Sequence, residues 1–405
     1  MNKINTRLFF LTTILISLNF YRVKIIDSFT ISDASLILFI VISAITFKRV
    51  KINLFNINYL VWLIFSSLPF LIYIQYDFFS IESFMLTSLR ISFSILCLFF
   101  IPLWLTTSEQ KTTFIIAIKY NLLFILYSQI IIVILFYIGY ENIFNLITSN
   151  NWENRAEILN VYDYRYYFRF GGLFEEPSWF SWYITYLLGI IISYEYVYKL
   201  KILNKKIIFL LLIAISFTFS ISGLLSIVLL LTTRHFIHYK KMKHTVYFLF
   251  ISFALVAIVL TNEHFMERLL NILSGSDGSS NVRVFGSFYR LYIILENLAL
   301  GTGVGNSING IEYYSSKYNL STEASISSQN GFVEAFISTG LISGLLYCIP
   351  IFLMLLIKKY RVIFLTIVLV YFTTSSIYIA PMWILLGISF YLFQPSNNQI
   401  TTEKS

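Results

Sequence analysis

The chain alternates long apolar runs with short polar breaks. Apolar stretches fall at about 8–21, 31–47, 57–76, 84–104, 113–139, 177–197, 245–261 and 331–357, with a shorter pair at 361–375 and 376–394. A bilayer core about 30 Å thick takes about 20 apolar residues per helix, so most of these runs have the length of one crossing. The first run follows Lys3 and Arg7 as a signal peptide would. No small-residue cleavage site follows it and many further apolar runs do, so it reads as a retained helix. The stretch 207–235 is long for one helix and is interrupted at Ser220-Ile221-Ser222-Gly223. It reads as two short helices hinged at that break.

Basic clusters then give the bundle a direction. Lys48–Lys51, Lys111, Lys199–Lys206, Arg234–Lys243 and Lys358–Arg361 all fall on one side if 207–235 crosses twice or re-enters, together with both termini. By the positive-inside rule that side is the cytoplasm. Arg22 and Lys24 are the misfit, in a short outer loop. The pattern predicts an all-α, polytopic membrane helix bundle of about 12 transmembrane helices. Residues 1–405 read as a single integral membrane domain, with two large outer loops at 140–176 and 262–330.

Composition fits this and removes alternatives. Apolar residues are 58% of the chain and charged ones 12%, against about 25% charged in soluble domains, so the chain lacks the polar residues to cover a water-facing surface. The net charge of +9 follows from the orientation clusters and is no nucleic-acid footprint. Cys97 and Cys348 lie inside apolar runs and are expected to be free thiols. Of the histidines His235, His238, His244 and His264, three fall in one basic loop and read as solvated positive charge.

The outer loops differ from the rest of the chain in carrying arginine, not lysine. They hold Arg155, Arg165, Arg169, Arg268, Arg283 and Arg290, with Lys317 the one lysine. Orientation does not ask for this, but a phosphate ligand does, because the guanidinium fork pairs with it bidentately. Three constellations follow. In Arg169-Phe-Gly-Gly-Leu-Phe-Glu-Glu-Pro-Ser178, Arg169 can bind phosphate while Glu175 or Glu176 takes a proton from a sugar hydroxyl. The same carboxylates also suit the positive end of the helix starting near Pro177. The tyrosines just upstream, Tyr166 among them, offer either pyranose stacking or an interfacial aromatic belt. In the second, Arg283 and Arg290 lie two turns apart on one face of an amphipathic helix. It leads to Gly301-Thr-Gly-Val-Gly305, whose turn can bring amides to an anion, and to Gln329 and Asn330. The third is Arg90, within its span, which either snorkels to the headgroups or faces a cavity with Glu334 as partner or second proton acceptor. No Asp-x-Asp metal pattern stands out, so charge neutralisation would fall to arginine; no metal or cofactor is expected.

This order of features resembles the O-antigen polymerase (Wzy) family, within the O-antigen polymerase/ligase superfamily. The resemblance is carried by Arg169, Gly172, Glu176-Pro-Ser178, the Ser-x-Ser-Gly break at 220–223, Arg283, Gly301-x-Gly-x-Gly305, Gln329-Asn330 and Gly340-Leu-Ile-Ser-Gly344. It implies a GT-C-like, metal-independent glycosyltransferase at the periplasmic face of a bacterial inner membrane. Undecaprenyl-diphosphate-linked repeat units would be polymerised there into O-antigen or capsular polysaccharide. It also implies partners: the lipid-linked glycan, membrane lipid, and a chain-length regulator and flippase of the same pathway. Arg169, Glu176 and Arg283 carry over as catalytic positions, with Arg155 and Arg290 beside them; Glu175, Arg165, Arg90, Tyr166, Gln329, Asn330 and Glu334 complete the candidate set. Ligases and many polymerases place a histidine before the asparagine, and this chain has Gln329 instead, which cannot serve as a base. The alternatives are an O-antigen ligase acting on lipid A core and a 12-span flippase or transporter, although midplane charges and related halves, marks of a transporter, are not evident.

Overall fold

The computed structural model describes residues 3–20, 23–26, 29–139, 170–174, 177–218, 220–238, 270, 287–317, 330–372, 374 and 378–394. Its helices are α1 (Lys3–Ser17), α2 (Ile31–Phe47), α3 (Leu54–Ser66), α4 (Leu68–Tyr73), α5 (Ile81–Trp104), α6 (Ser108–Tyr137) and α7 (Pro177–Tyr198). They continue with α8 (Lys205–Ser216), α9 (Ile221–His238), α10 (Ser287–Asn297), α11 (Ser307–Lys317), α12 (Gly331–Leu356), α13 (Arg361–Tyr371) and α14 (Ala380–Tyr391). The protein is predominantly helical; a short antiparallel ribbon pairs Lys24–Ile26 with Phe29–Thr30. That ribbon covers Lys24, the misfit in the expected orientation.

Among the described residues, four stretches are long and apolar enough to cross a membrane: Leu54–Tyr73, Ile81–Trp104, Ser108–Tyr137 and Gly331–Leu356. Shorter apolar helices cover Thr6–Phe20, Ile31–Phe47, Ser222–His238 and Ala380–Tyr391. Polar side chains define several starts. The side chains of Asn53, Ser80, Asn204 and Asn330 each accept an amide of the first turn they precede, which satisfies donors that a helix leaves open. The interruption of 207–235 is present, but it lies at 217–220; Ser222 and Gly223 are already in the first turn of α9. Gly223 is needed for packing, since a Cβ there would lie 2.3 Å from Ser181 Cβ on α7.

The chain divides into two compact units, residues 1–35 with 108–269 and residues 36–107 with 270–405. In the first, α1 packs on α6, α6 on α7 and α8, and α7 on α9. A buried polar thread joins three of these elements: Asn19 Nδ2 donates to Asn121 Oδ1 (2.8 Å), and Asn121 Nδ2 donates to Tyr183 Oη (3.3 Å). In the second unit α12 is central, packed on α3, α10 and α13, while α5 packs on α14. Tyr59, Trp62, Tyr347 and Trp383 interlock there with ring centroids 5.2–5.9 Å apart.

Helix α12 changes its surroundings along its length. Residues 331–340 are buried throughout, Phe336 partly so. Below them Leu341, Ile342, Leu345, Ile349, Phe352, Leu353 and Leu356 are exposed. This apolar stripe is about 23 Å long at 1.5 Å per residue, most of a hydrocarbon core. The first three turns of α12 are sheathed by protein, and beyond them the helix is exposed along one apolar stripe while Tyr347, Cys348, Ile351 and Met354 stay buried on the other side.

Candidate functional site

The sheath begins where the backbone of α12 leaves the helical region, at Gly340 with φ 77° and ψ −178°. The glycine-rich turn lies against that break. The Thr302 amide donates to Ile337 O and the Gly303 amide to Ser338 O, both at 2.9 Å, and the Gly301 amide closes its own turn on Leu298 O at 2.8 Å. Gly301, Gly303 and Gly305 all have positive φ, the region in which only glycine sits without strain. A Cβ on Gly301 would fall 2.4 Å from Gly340 N, and one on Gly340 would fall 2.5 Å from Ala299 O. This corrects the expectation of an anion cradle. The turn's amides bind the carbonyls of α12, so the glycines allow one backbone to close on another.

Over this turn the first half of α12 presents polar groups. Asn330 Oδ1 accepts the amides of Phe332 and Val333 at 3.1 Å each, and the Glu334 amide donates to Asn330 O. Asn330, Glu334 and Ser338 are all buried. Glu334 and Ser338 are one turn apart and so share a face. The Tyr378 hydroxyl makes a short hydrogen bond with Ser338 Oγ and donates to Ser307 Oγ at 3.4 Å. It also accepts the Gly305 amide. One phenol therefore joins the segment before α14, the start of α11, the glycine turn and α12.

Two further candidate residues are described in this unit. Arg290 lies on the inner face of α10 with Ile293 and Ile294, while Phe288, Tyr289 and Tyr292 are exposed. An amphipathic helix is thus present from Ser287, with Arg290 on its packed side and its aromatics outward; a face shared with Arg283 lies outside the described residues. Burial lowers the Arg290 pKa from its usual value, but a guanidinium so basic keeps its charge. Arg90 is half-buried in the third turn of α5, beside the exposed Leu89. Arg155, Arg165, Tyr166, Arg169, Glu175, Glu176, Arg283 and Gln329 lie outside the described residues.

The turn that leads to Glu175 and Glu176 is described, in the other unit. The Phe170 amide donates to Phe217 O (3.0 Å), Gln129 Nε2 donates to Phe170 O (3.1 Å), and the Phe174 amide closes the turn on Gly171 O (3.0 Å). Gly172 has φ +61°, and a Cβ there would meet Gln129 Oε1 at 2.6 Å and the Phe180 ring. Phe170 and Phe174 are buried, and Phe170 meets Phe136 edge-on at 5.1 Å. The Gly-Gly turn is anchored by α6, by the end of α8 and by α7.

The same unit holds a charged cluster that sequence reasoning missed. The Glu195 carboxylate, fully buried at the end of α7, accepts the Ile202 and Leu203 amides at 2.6 and 2.8 Å. It also accepts Arg234 Nε at 2.6 Å and His238 Nε2 at 3.0 Å. Arg234 donates in addition to Leu203 O at 2.7 Å. The reading of His238 as solvated charge is corrected: it is packed on Glu195, together with Arg234 of the orientation cluster, in the last turns of α9. Thirty-nine residues separate the partners, and the only signal in the sequence was a carboxylate near the end of an apolar run, close to a basic cluster.

A family model described as O-antigen ligase matches residues 207–348, which contain α8, α9, α10, α11 and the first two-thirds of α12. No curated protein matches the chain. The match supports placement in the O-antigen polymerase/ligase superfamily without choosing between its two branches.

Proposed function

We propose that this protein is a membrane glycosyltransferase that polymerises undecaprenyl-diphosphate-linked oligosaccharide units into O-antigen or capsular polysaccharide at the periplasmic face of the inner membrane. The observation that carries the reading is the family match over 207–348, joined to the buried Asn330 and Glu334 at the protein-sheathed start of α12. In the reaction an acceptor hydroxyl oxygen attacks the donor's anomeric carbon. The bond to the diphosphate breaks, and the lipid diphosphate leaves with the electron pair. Arg169 and Arg283, with Arg155, Arg165 and Arg290, would neutralise that leaving group through bidentate pairing. Glu176 or Glu175 would take the hydroxyl proton, with Glu334 as a second acceptor. The turn at 170–174, directly before these glutamates in the chain, is held by α6, α7 and the end of α8.

The ligase reading is the second one, favoured by the description of the matched family. Gln329 argues against it, since the residue before Asn330 lacks a basic nitrogen. Deletion in the native strain separates the two. A polymerase deletion leaves surface glycan bearing a single repeat unit, and a ligase deletion leaves lipid A core without the polymer. Persistence of long, core-attached chains in the deletion strain would exclude both.

A further inference from the structure

No motif or charge pattern singles out residues 372–379, yet the structure brings Tyr378 to the polar face of the second unit. Tyr378 stands 71 residues from Ser307 and 40 from Ser338, and it is hydrogen-bonded to both. Its neighbours are otherwise backbone: the Gly305 amide, in the turn whose preceding amides hold Ile337 O and Ser338 O. Ser338 is fully buried and one turn below Glu334 on the same face. A phenol here is a demanding choice. A buried hydroxyl must keep its hydrogen bonds to be tolerated, and filling the space would need only a phenylalanine. The three connections of this hydroxyl tie α12, one turn from Glu334, to the start of α11 and to the glycine turn.

We infer that Tyr378 is a positioning residue for the transfer reaction, locking the Glu334 face of α12 against the glycine turn and the start of α11. The inference rests on the glycosyl-transfer reading. Tyr378 is not assigned a contact with substrate; it acts by holding Ser338, and hence the turn above it, in one place. A carboxyl displaced by about 1 Å from the geometry a reaction needs can lose on the order of a hundredfold in rate. The effect should therefore fall on turnover, with little change in the affinity for lipid-linked substrate.

The test uses the full-length protein in detergent or vesicles with lipid-diphosphate-linked repeat units, measuring product formation by gel shift. Tyr378→Phe keeps the ring and removes the hydroxyl. The expected result is a fall in kcat of about tenfold or more, with KM within about twofold and the melting temperature close to that of the unaltered protein. Ser338→Ala should reproduce the loss, and the double variant should be no worse than Tyr378→Phe alone, because both changes cut the same connection. Undiminished kcat in Tyr378→Phe, losses that add in the double variant, or a kcat loss that follows a fallen melting temperature would each overturn the inference. Should Tyr378→Phe not fold, Ser307→Ala and Ser338→Ala give the same readout from the other ends of the hydrogen bonds. A wild-type protein that transfers no glycan from the lipid-linked substrate refutes the functional reading itself, a result the variants do not enter.

Discussion

Glu195 shows what a single residue does when the chain folds around it. Its carboxylate is fully buried and takes donors from two amides, Arg234 and His238, so the loop after α7 and the end of α9 are tied to one group. Breaking such a pair from one side leaves the other charge buried, at about 3–5 kcal/mol. Glu195→Gln should accordingly lower the melting temperature in detergent markedly, while Glu195→Gln with Arg234→Met should recover much of the loss. A double variant as unstable as the single would show that the amide contacts, not the ion pair, hold this corner. None of this was legible in the sequence, because a pairing across 39 residues is set by how α7 and α9 pack. Asn330 is the opposite case. The sequence points to it as a substrate-binding candidate, yet a polar residue directly before an apolar run can also cap the helix, and its side chain accepts two amides of the first turn.

At the scale of elements the apolar runs were legible and their interruptions only partly so. The run expected over 84–104 is the helix Ile81–Trp104, and that over 331–357 is Gly331–Leu356, since hydrophobic length is what a bilayer selects. A glycine motif says less. Gly301-x-Gly-x-Gly305 promised free amides, and the structure uses them to satisfy the carbonyls of α12 beside its break. Which role a positive-φ turn takes depends on what lies against it. The two Cβ clashes make the assignment testable. Gly301→Ala and Gly340→Ala each incur about 1–2 kcal/mol for a left-handed backbone and a collision with backbone at 2.4–2.5 Å. Gly139→Ala has a comparable φ of 93° and open space around it, so it carries the first penalty alone. Thermal melts should rank Gly139→Ala well above the other two; equal losses in all three would mean that the turn and the break are not in close contact.

For the whole molecule, the question is which way the chain threads the membrane. Each of the two units combines an early and a late stretch of chain, so neither can close until residues far downstream are made. That organisation is invisible to any local pattern, whereas orientation is not. The lysine-rich loop 199–204 and the α10–α11 segment carry opposite predictions, inside and outside, from charge alone. The protein is suited to the measurement, because both of its cysteines, Cys97 and Cys348, are free and buried. They give little background to a membrane-impermeant maleimide. Lys201 and Ser316 are exposed, and a single cysteine at either site reports its side. Lys201→Cys should react only after the inner membrane is opened, and Ser316→Cys should react while it is intact. The reverse pattern would move the Glu334 face of α12 to the cytoplasm. That would rule out a periplasmic transfer reaction whatever the chemistry of the residues there. Equal labelling of both before permeabilisation would put the two loops on one side and overturn the orientation read from the basic clusters.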